Sequence, residues 1–364
     1  MKKIVVSVLK YGISFGILAY LFYAASRDDS FSDLVHKPKN WGLLALAFLV
    51  ALSAVCSTII RWYLLVRALD IPFALRDAFR LGFMGFLFNF LTLGQMGGDL
   101  LKAVFLAREK SGRRAEAVAT VFVDRVIGLY ALFVVATTAF LLFGFSQLNV
   151  RDEEQLAAIT LVCNVGMVVT IVGAVCFVIM LLPGFTTAPI WDVLIGIPKI
   201  GRVFGQLIGA LRMYRRRVPL LLVTLVMSFG THILFAVSVF LTALGLSGAH
   251  PPLSTHFVIV PFSALAGALP LPGGMGAFEY TLDFLYRGLT SADVPARQGF
   301  VVALAFLVIK LMIATFGVAY YLMGRSQVAE LMKEAEEGAP LDEFNEVSSG
   351  AGRDLGMSES RSTA

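Results

Sequence analysis

A short set of ionisable side chains lies inside otherwise apolar stretches: Asp99 and Lys102, Asp124 and Arg125, His232, Glu279 and Asp283, and Lys310. A charge in hydrocarbon is costly, so each is a candidate for function until a neighbour is shown to neutralise it. Asp99 and Lys102 stand three residues apart, on one helix face, where they can pair. Glu279 and Asp283 share a face four residues apart. Asp124 and Arg125 are adjacent and point about 100° apart, so each is expected to pair with another helix. Structural ion pairing and lining of a pathway are both open to them. His232 reads as a hydrogen-bonded packing residue. Lys310 has no acid on its own apolar stretch, and an unpaired ammonium at mid-membrane would cost at least about 2.5–3.5 kcal/mol. It is expected to face inward and meet Glu279 or Asp283.

Two of these groups sit beside glycine-rich interruptions. The first interruption runs from Asn89 through Thr92, Leu93, Gly94, Gln95 and Met96 to Gly97-Gly98-Asp99. The second reads Pro270-Leu271-Pro272-Gly273-Gly274-Met275-Gly276-Ala277-Phe278-Glu279. Backbone that leaves the helix at membrane depth strands polar groups, each costing several kcal/mol in hydrocarbon. Such breaks survive where protein or a wet cavity satisfies them, and a matched pair in two halves points to a transport site. Free N–H groups at the start of a half helix attract phosphate or carboxylate. Gly97-Gly98 and Gly273-Gly274 let that backbone approach a ligand. Asp99 and Glu279 are also placed to serve as N-terminal groups of their half helices. Lys102, Arg108 and Arg125 add positive charge, so an anionic lipid headgroup suits the region better than a neutral sugar. The candidate pathway residues are therefore Asn89, Gly97, Gly98, Asp99, Lys102, Asp124, Arg125, Pro270, Pro272, Gly273, Gly274, Gly276, Glu279 and Lys310.

The elements that hold these residues are membrane helices. The chain has 364 residues, 58% hydrophobic and 15% charged, with mean hydropathy +0.80. A soluble domain carries about 25% charged residues. Abundant Phe and Gly fit close-packed membrane helices. A span needs about 20 apolar residues, and stretches 4–24, 42–66, 116–145, 156–182, 218–246 and 299–323 qualify. Two broken units, 78–107 and 256–288, complete an all-α polytopic fold of about eight transmembrane helices. Met1-Lys2-Lys3 followed by an apolar run resembles a signal peptide. In an otherwise polytopic chain, an uncleaved first helix is the preferred reading. Cys56, Cys163 and Cys176 lack metal spacing and read as packing residues.

Lysine and arginine in short loops set orientation. Lys2 and Lys3, then Arg61, Arg67, Arg76 and Arg80, then Arg108 to Arg114, and the acid-free basic run in 199–217 are all assigned to the cytoplasmic side. The first broken unit then begins and ends inside, and the second begins and ends outside. That is the pattern of an inverted-topology repeat. Residues 1–324 hold 26 basic against 16 acidic side chains, which suits loops meeting anionic lipid; no nucleic-acid partner is expected. Residues 183–217 form a basic cytoplasmic connection. Leu207, Ile208, Leu211 and Tyr214 give it one apolar helical face at the membrane surface. Residues 325–364 are acidic and poor in aromatics, and are expected to form a largely disordered cytoplasmic tail.

Gly97-Gly98-Asp99 with Lys102, then Val123-Asp124-Arg125, then the second glycine motif through Glu279 together resemble the lysylphosphatidylglycerol synthase transmembrane region family. These are also called flippase-like domain integral membrane proteins. The resemblance covers roughly residues 1–324. It implies a bundle with re-entrant segments that moves lipid or lipid-linked headgroups between leaflets. Two positions depart from the family pattern. Thr92 stands where proline is frequent, and Lys102, which lacks a bidentate fork, stands where arginine is frequent. Full-length synthases add a soluble aminoacyltransferase domain; a 40-residue tail stands in its place here, so the chain is not expected to be an enzyme. No HExxH, GxSxG or GxxxxGK[ST] motif is present, and no catalytic residue, metal, cofactor or ATP hydrolysis is expected. The expected function is translocation of an anionic or phosphate-containing lipid across the cytoplasmic membrane. The alternatives are an intramembrane lipid-modifying transferase and a non-transporting partner of lipid or cell-envelope biosynthesis enzymes.

Overall fold

The computed structural model describes Tyr23 and residues 38–91, 97–109, 114–144, 153–181, 213–214, 217–246, 248–268, 276–288, 294 and 297–323. The first expected helix apart from Tyr23, most of the basic connection, the acidic tail, the Arg108 side chain, and Pro270, Pro272, Gly273 and Gly274 lie outside them. The described residues form nine α-helices. These are α1 Trp41–Ala68, α2 Leu75–Leu91, α3 Gly97–Glu109, α4 Arg114–Ala139 (prolonged by a π-helical turn, Phe140–Gly144) and α5 Glu153–Leu181. After the basic connection come α6 Val218–Gly245, α7 Leu253–Gly267, α8 Ala277–Gly288 and α9 Gln298–Met323. Among the described residues, four helical stretches are long and apolar enough to cross a membrane: those of α1, α6 and α9, and Glu116–Phe143 of α4 with its extension.

Each broken unit is a pair of short helices packed on each other, α2 on α3 and α7 on α8. The four arms have 17, 13, 15 and 12 residues. At 1.5 Å per residue they reach roughly 25, 20, 22 and 18 Å, short of a hydrocarbon core of about 30 Å. Each arm is thus shorter than the roughly 20 residues of an ordinary spanning helix.

The order long helix, short pair, long helix occurs twice: α1, α2–α3, α4 and α6, α7–α8, α9. The packing follows that order. Contacts of α1 with α2, α3 with α4, and α1 with α4 have counterparts in α6 with α7, α8 with α9, and α6 with α9. The halves also interlock crosswise, α4 against α7 and α9 against α2. At the centre α1 and α6 run antiparallel. Asn40 N, at the start of α1, donates to Gly245 O at the end of α6 (2.8 Å). Arg217, at the start of α6, pairs with Asp70 just past α1 (2.8 Å).

Small residues let α1 and α6 approach, as membrane helices require. Ala47, Ala51 and Ala54 are fully buried, and Ser238 Oγ donates to Ala47 O at 2.8 Å. Large apolar side chains point outward instead, among them Val168 and Ile171 of α5, Val226 of α6 and Val308 of α9. Small side chains at the central helix contact and large apolar ones on the outer surface suit a fold that faces lipid rather than water.

Candidate functional site

The first half helix begins where α2 and α3 almost touch. A Cβ on Gly98 would collide with the Gly85 backbone, so the crossing requires a glycine there. Asn89 Oδ1, on the last turn of α2, accepts from Gly98 N at 3.0 Å. A side chain from the neighbouring arm thus satisfies one of the free donors at the start of α3. Asp99, the third residue of α3, is left to turn outward and accept from Arg125 Nε of α4. The sequence suggested Lys102 as its partner. Lys102 instead places Nζ 5.1 Å from the centroid of the Trp62 ring of α1, a cation–π contact.

The second half helix begins differently. Gly276 takes φ 89°, left-handed backbone that favours glycine. It caps α8: its carbonyl accepts from Tyr280 N at 2.8 Å. Glu279, the third residue of α8, reaches back so that Oε2 accepts from Gly276 N at 2.7 Å. This is the glutamate half of a capping box. Glu279 is fully buried, and its other oxygen, Oε1, has no hydrogen-bond donor among the described residues.

Lys310 faces inward, but it forms no ion pair with either expected acid among the described residues. Its Nζ lies 4.7 Å from the Phe278 ring centroid and 5.4 Å from that of Phe306. Asp283 is already engaged. Arg297 (2.8 Å) and Arg287 (3.1 Å) pair with it, and its Oδ1 accepts from Phe300 N at 3.2 Å. A fully buried carboxylate with two guanidinium partners and the first turn of α9 to cap has a structural role.

A buried polar cluster joins α1, α4 and α6. Arg61 Nε donates to Asp124 Oδ1 at 2.7 Å and Arg61 Nη1 to Ser228 Oγ at 2.6 Å, tying α1, α4 and α6 together. Gly128 leaves room for the guanidinium, and Gly128 O is hydrogen-bonded by His232 Nε2 at 3.0 Å. Arg61 is not the loop cation the sequence suggests: it lies inside α1 and is buried. Asp124 and Arg125 pair with different helices, Asp124 inward with Arg61 and Arg125 outward with Asp99.

Sequence reasoning missed Arg61 as a partner, along with Trp62, Arg297 and the His256–Tyr286 contact (2.6 Å) that joins α7 to α8. An arginine well inside a predicted span was the available signal for Arg61. The aromatic partners of Lys102 and Lys310 carried none.

Half-length helix pairs held between long apolar helices, with acids at their broken ends, define a polytopic α-helical membrane protein. The chain belongs to the Lysylphosphatidylglycerol synthase TM region family, whose family model matches residues 7–317. No curated protein matches it.

Proposed function

We propose that this protein is a lipid translocase of the cytoplasmic membrane, multi-pass with both termini cytoplasmic. It moves a lipid with an anionic or phosphate-containing headgroup between leaflets and performs no chemistry on it. The headgroup passes along the broken ends of the two short-helix pairs while the acyl chains stay in the bilayer. Enzymes that make or consume the lipid are its expected protein partners.

One observation carries this reading. In each half, an acid at the third position of a short helix is matched by a cation at a like position of the following long helix. Asp99 pairs with Arg125, the twelfth residue of α4 counted from Arg114; Lys310, the thirteenth of α9 counted from Gln298, lies over the ring of Phe278, the residue before Glu279. The antiparallel α1–α6 pair and the exchangeable packing pairs support an inverted repeat, the architecture that places a transport site at the meeting of discontinuous helices. Lys102, Arg125 and Lys310 supply positive charge for a phosphate.

The test is leaflet-specific labelling of lipids in proteoliposomes. Protein-dependent redistribution of phosphate-bearing lipid is expected, with loss in Asp99→Asn and Glu279→Gln. Redistribution equal to that of protein-free vesicles overturns the reading. Harmless Asp99→Asn and Glu279→Gln substitutions, with damage confined to loop variants, would indicate a non-transporting assembly partner. Turnover of a lipid phosphate lost on Glu279→Gln would indicate a transferase.

A further inference from the structure

We infer that the groove between the end of α1 and the start of α6 holds a resident anionic phospholipid, with its phosphate on Arg67 and Arg217 and an acyl chain along Leu64, Leu220 and Val223. This goes beyond the translocase reading and does not depend on it. None of the lining residues belongs to the short-helix pairs, and a lipid held here need not cross.

The groove is a cavity of about 550 Å³, lined by Leu64, Arg67 and Ala68 of α1 and by Arg217, Leu220 and Val223 where α6 begins. That volume falls in the range of ordinary ligand sites. Leu64, Arg67 and Ala68 share one helix face, as do Leu220 and Val223. Both ends are fixed by the fold. Past Arg67 the chain turns back on itself, Asp70 N donating to Arg67 O at 3.0 Å. Tyr214, three residues before Arg217, is buried, and its Oη donates to Leu65 O at 2.9 Å. This bond pins the last part of the basic connection to α1, so Arg217 is brought to the same end as Arg67.

Charge and polarity name the occupant. Arg67 and Arg217 are exposed, and the run 199–217 carries six basic residues and no acid. Guanidinium forks match phosphate oxygens. The apolar lining continues onto the outer surface of α6, where Val223 and Val226, three residues apart, are 49% and 66% exposed. A ligand with an anionic head and a hydrocarbon tail suits both parts of the groove, whereas inorganic phosphate suits one. Asp70 is the competitor: its Oδ2 accepts from Arg217 Nη2 at 2.8 Å. Both partners are exposed, and exposed pairs contribute little, so a phosphate can take the arginine from the carboxylate.

The test is photolabelling of the full chain in phosphatidylcholine vesicles by phosphatidylglycerol with a diazirine in one acyl chain, adducts being mapped by peptide mass spectrometry. Adducts are expected on the peptides holding Leu64, Leu220 and Val223. Arg67→Gln combined with Arg217→Gln should lower them about tenfold, through loss of two charge-assisted contacts. Asp70→Asn should raise them, and excess inorganic phosphate should leave them unchanged. Equal labelling of these peptides by diazirine phosphatidylcholine, or labelling unchanged in the double variant, overturns the inference. Suppression by inorganic phosphate also overturns it, in favour of a site for the free anion. If the double variant fails to fold, Asp70→Asn decides: labelling no higher than in the wild type overturns it. Labelling is read without lipid movement, so it stands or falls separately from translocation.

Discussion

The two short-helix pairs use the same parts and hold them differently. In α2–α3 the cap comes from the neighbouring arm through Asn89, which frees Asp99 to close on Arg125. In α7–α8 the acid caps its own helix, and its cation stands apart on two phenyl rings. The first acid–cation pair is closed and partly open to its surroundings; the second is open and its acid is buried. The acid–cation pair is where the two otherwise similar halves differ.

The largest effect is expected at the frame both halves share. Asp124→Asn leaves Arg61 buried without its counter-charge and should destabilise the fold by about 3–5 kcal/mol, read as a lowered Tm in lipid or mild detergent. An unchanged Tm would remove the fixed frame from the comparison. Next is Gly98→Ala, which sets a methyl group against the Gly85 backbone and should cost about 1–3 kcal/mol. The matching second residue of α8 is Phe278, which already carries a large side chain, so the sensitivity should be confined to the first pair.

The acids themselves should separate. Asp99→Asn weakens a half-exposed ion pair, worth about 1 kcal/mol at most. Glu279→Gln keeps an oxygen for Gly276 N and should be close to neutral in Tm while still abolishing translocation. Equal destabilisation by the two substitutions would contradict the assignment of one closed and one open pair. The smallest effect belongs to Asp70→Asn, which loses an exposed pair with Arg217 worth about 0–1 kcal/mol; Tm and translocation should both be preserved.

Much of this was legible in the chain. The stretch 42–66 became α1 with only small extensions, and 299–323 became α9 with one residue added. Length and hydropathy dominate such segments. The glycine clusters marked both breaks, since only glycine satisfies the Gly85–Gly98 approach and the φ of Gly276. The acids at the third position were visible for the same reason.

The partners were not legible. Lys102 and Asp99 have the right spacing to pair, yet Arg125 from another helix takes the acid and a tryptophan from a third takes the lysine. Lys310 was assigned a carboxylate because charge suggests charge, whereas its cage is aromatic. Arg61 lies six residues before Arg67, so counting cations near a helix end could not tell a buried ligand of Asp124 from a loop charge. Tertiary geometry decided each of these.

The most direct measurement places wild type, Asp99→Asn and Glu279→Gln in identical proteoliposomes and follows a labelled phosphate-bearing lipid from one leaflet to the other. Acceleration by the wild type, with loss in each single variant that remains folded, is the predicted result. A wild type no faster than empty vesicles would contradict it.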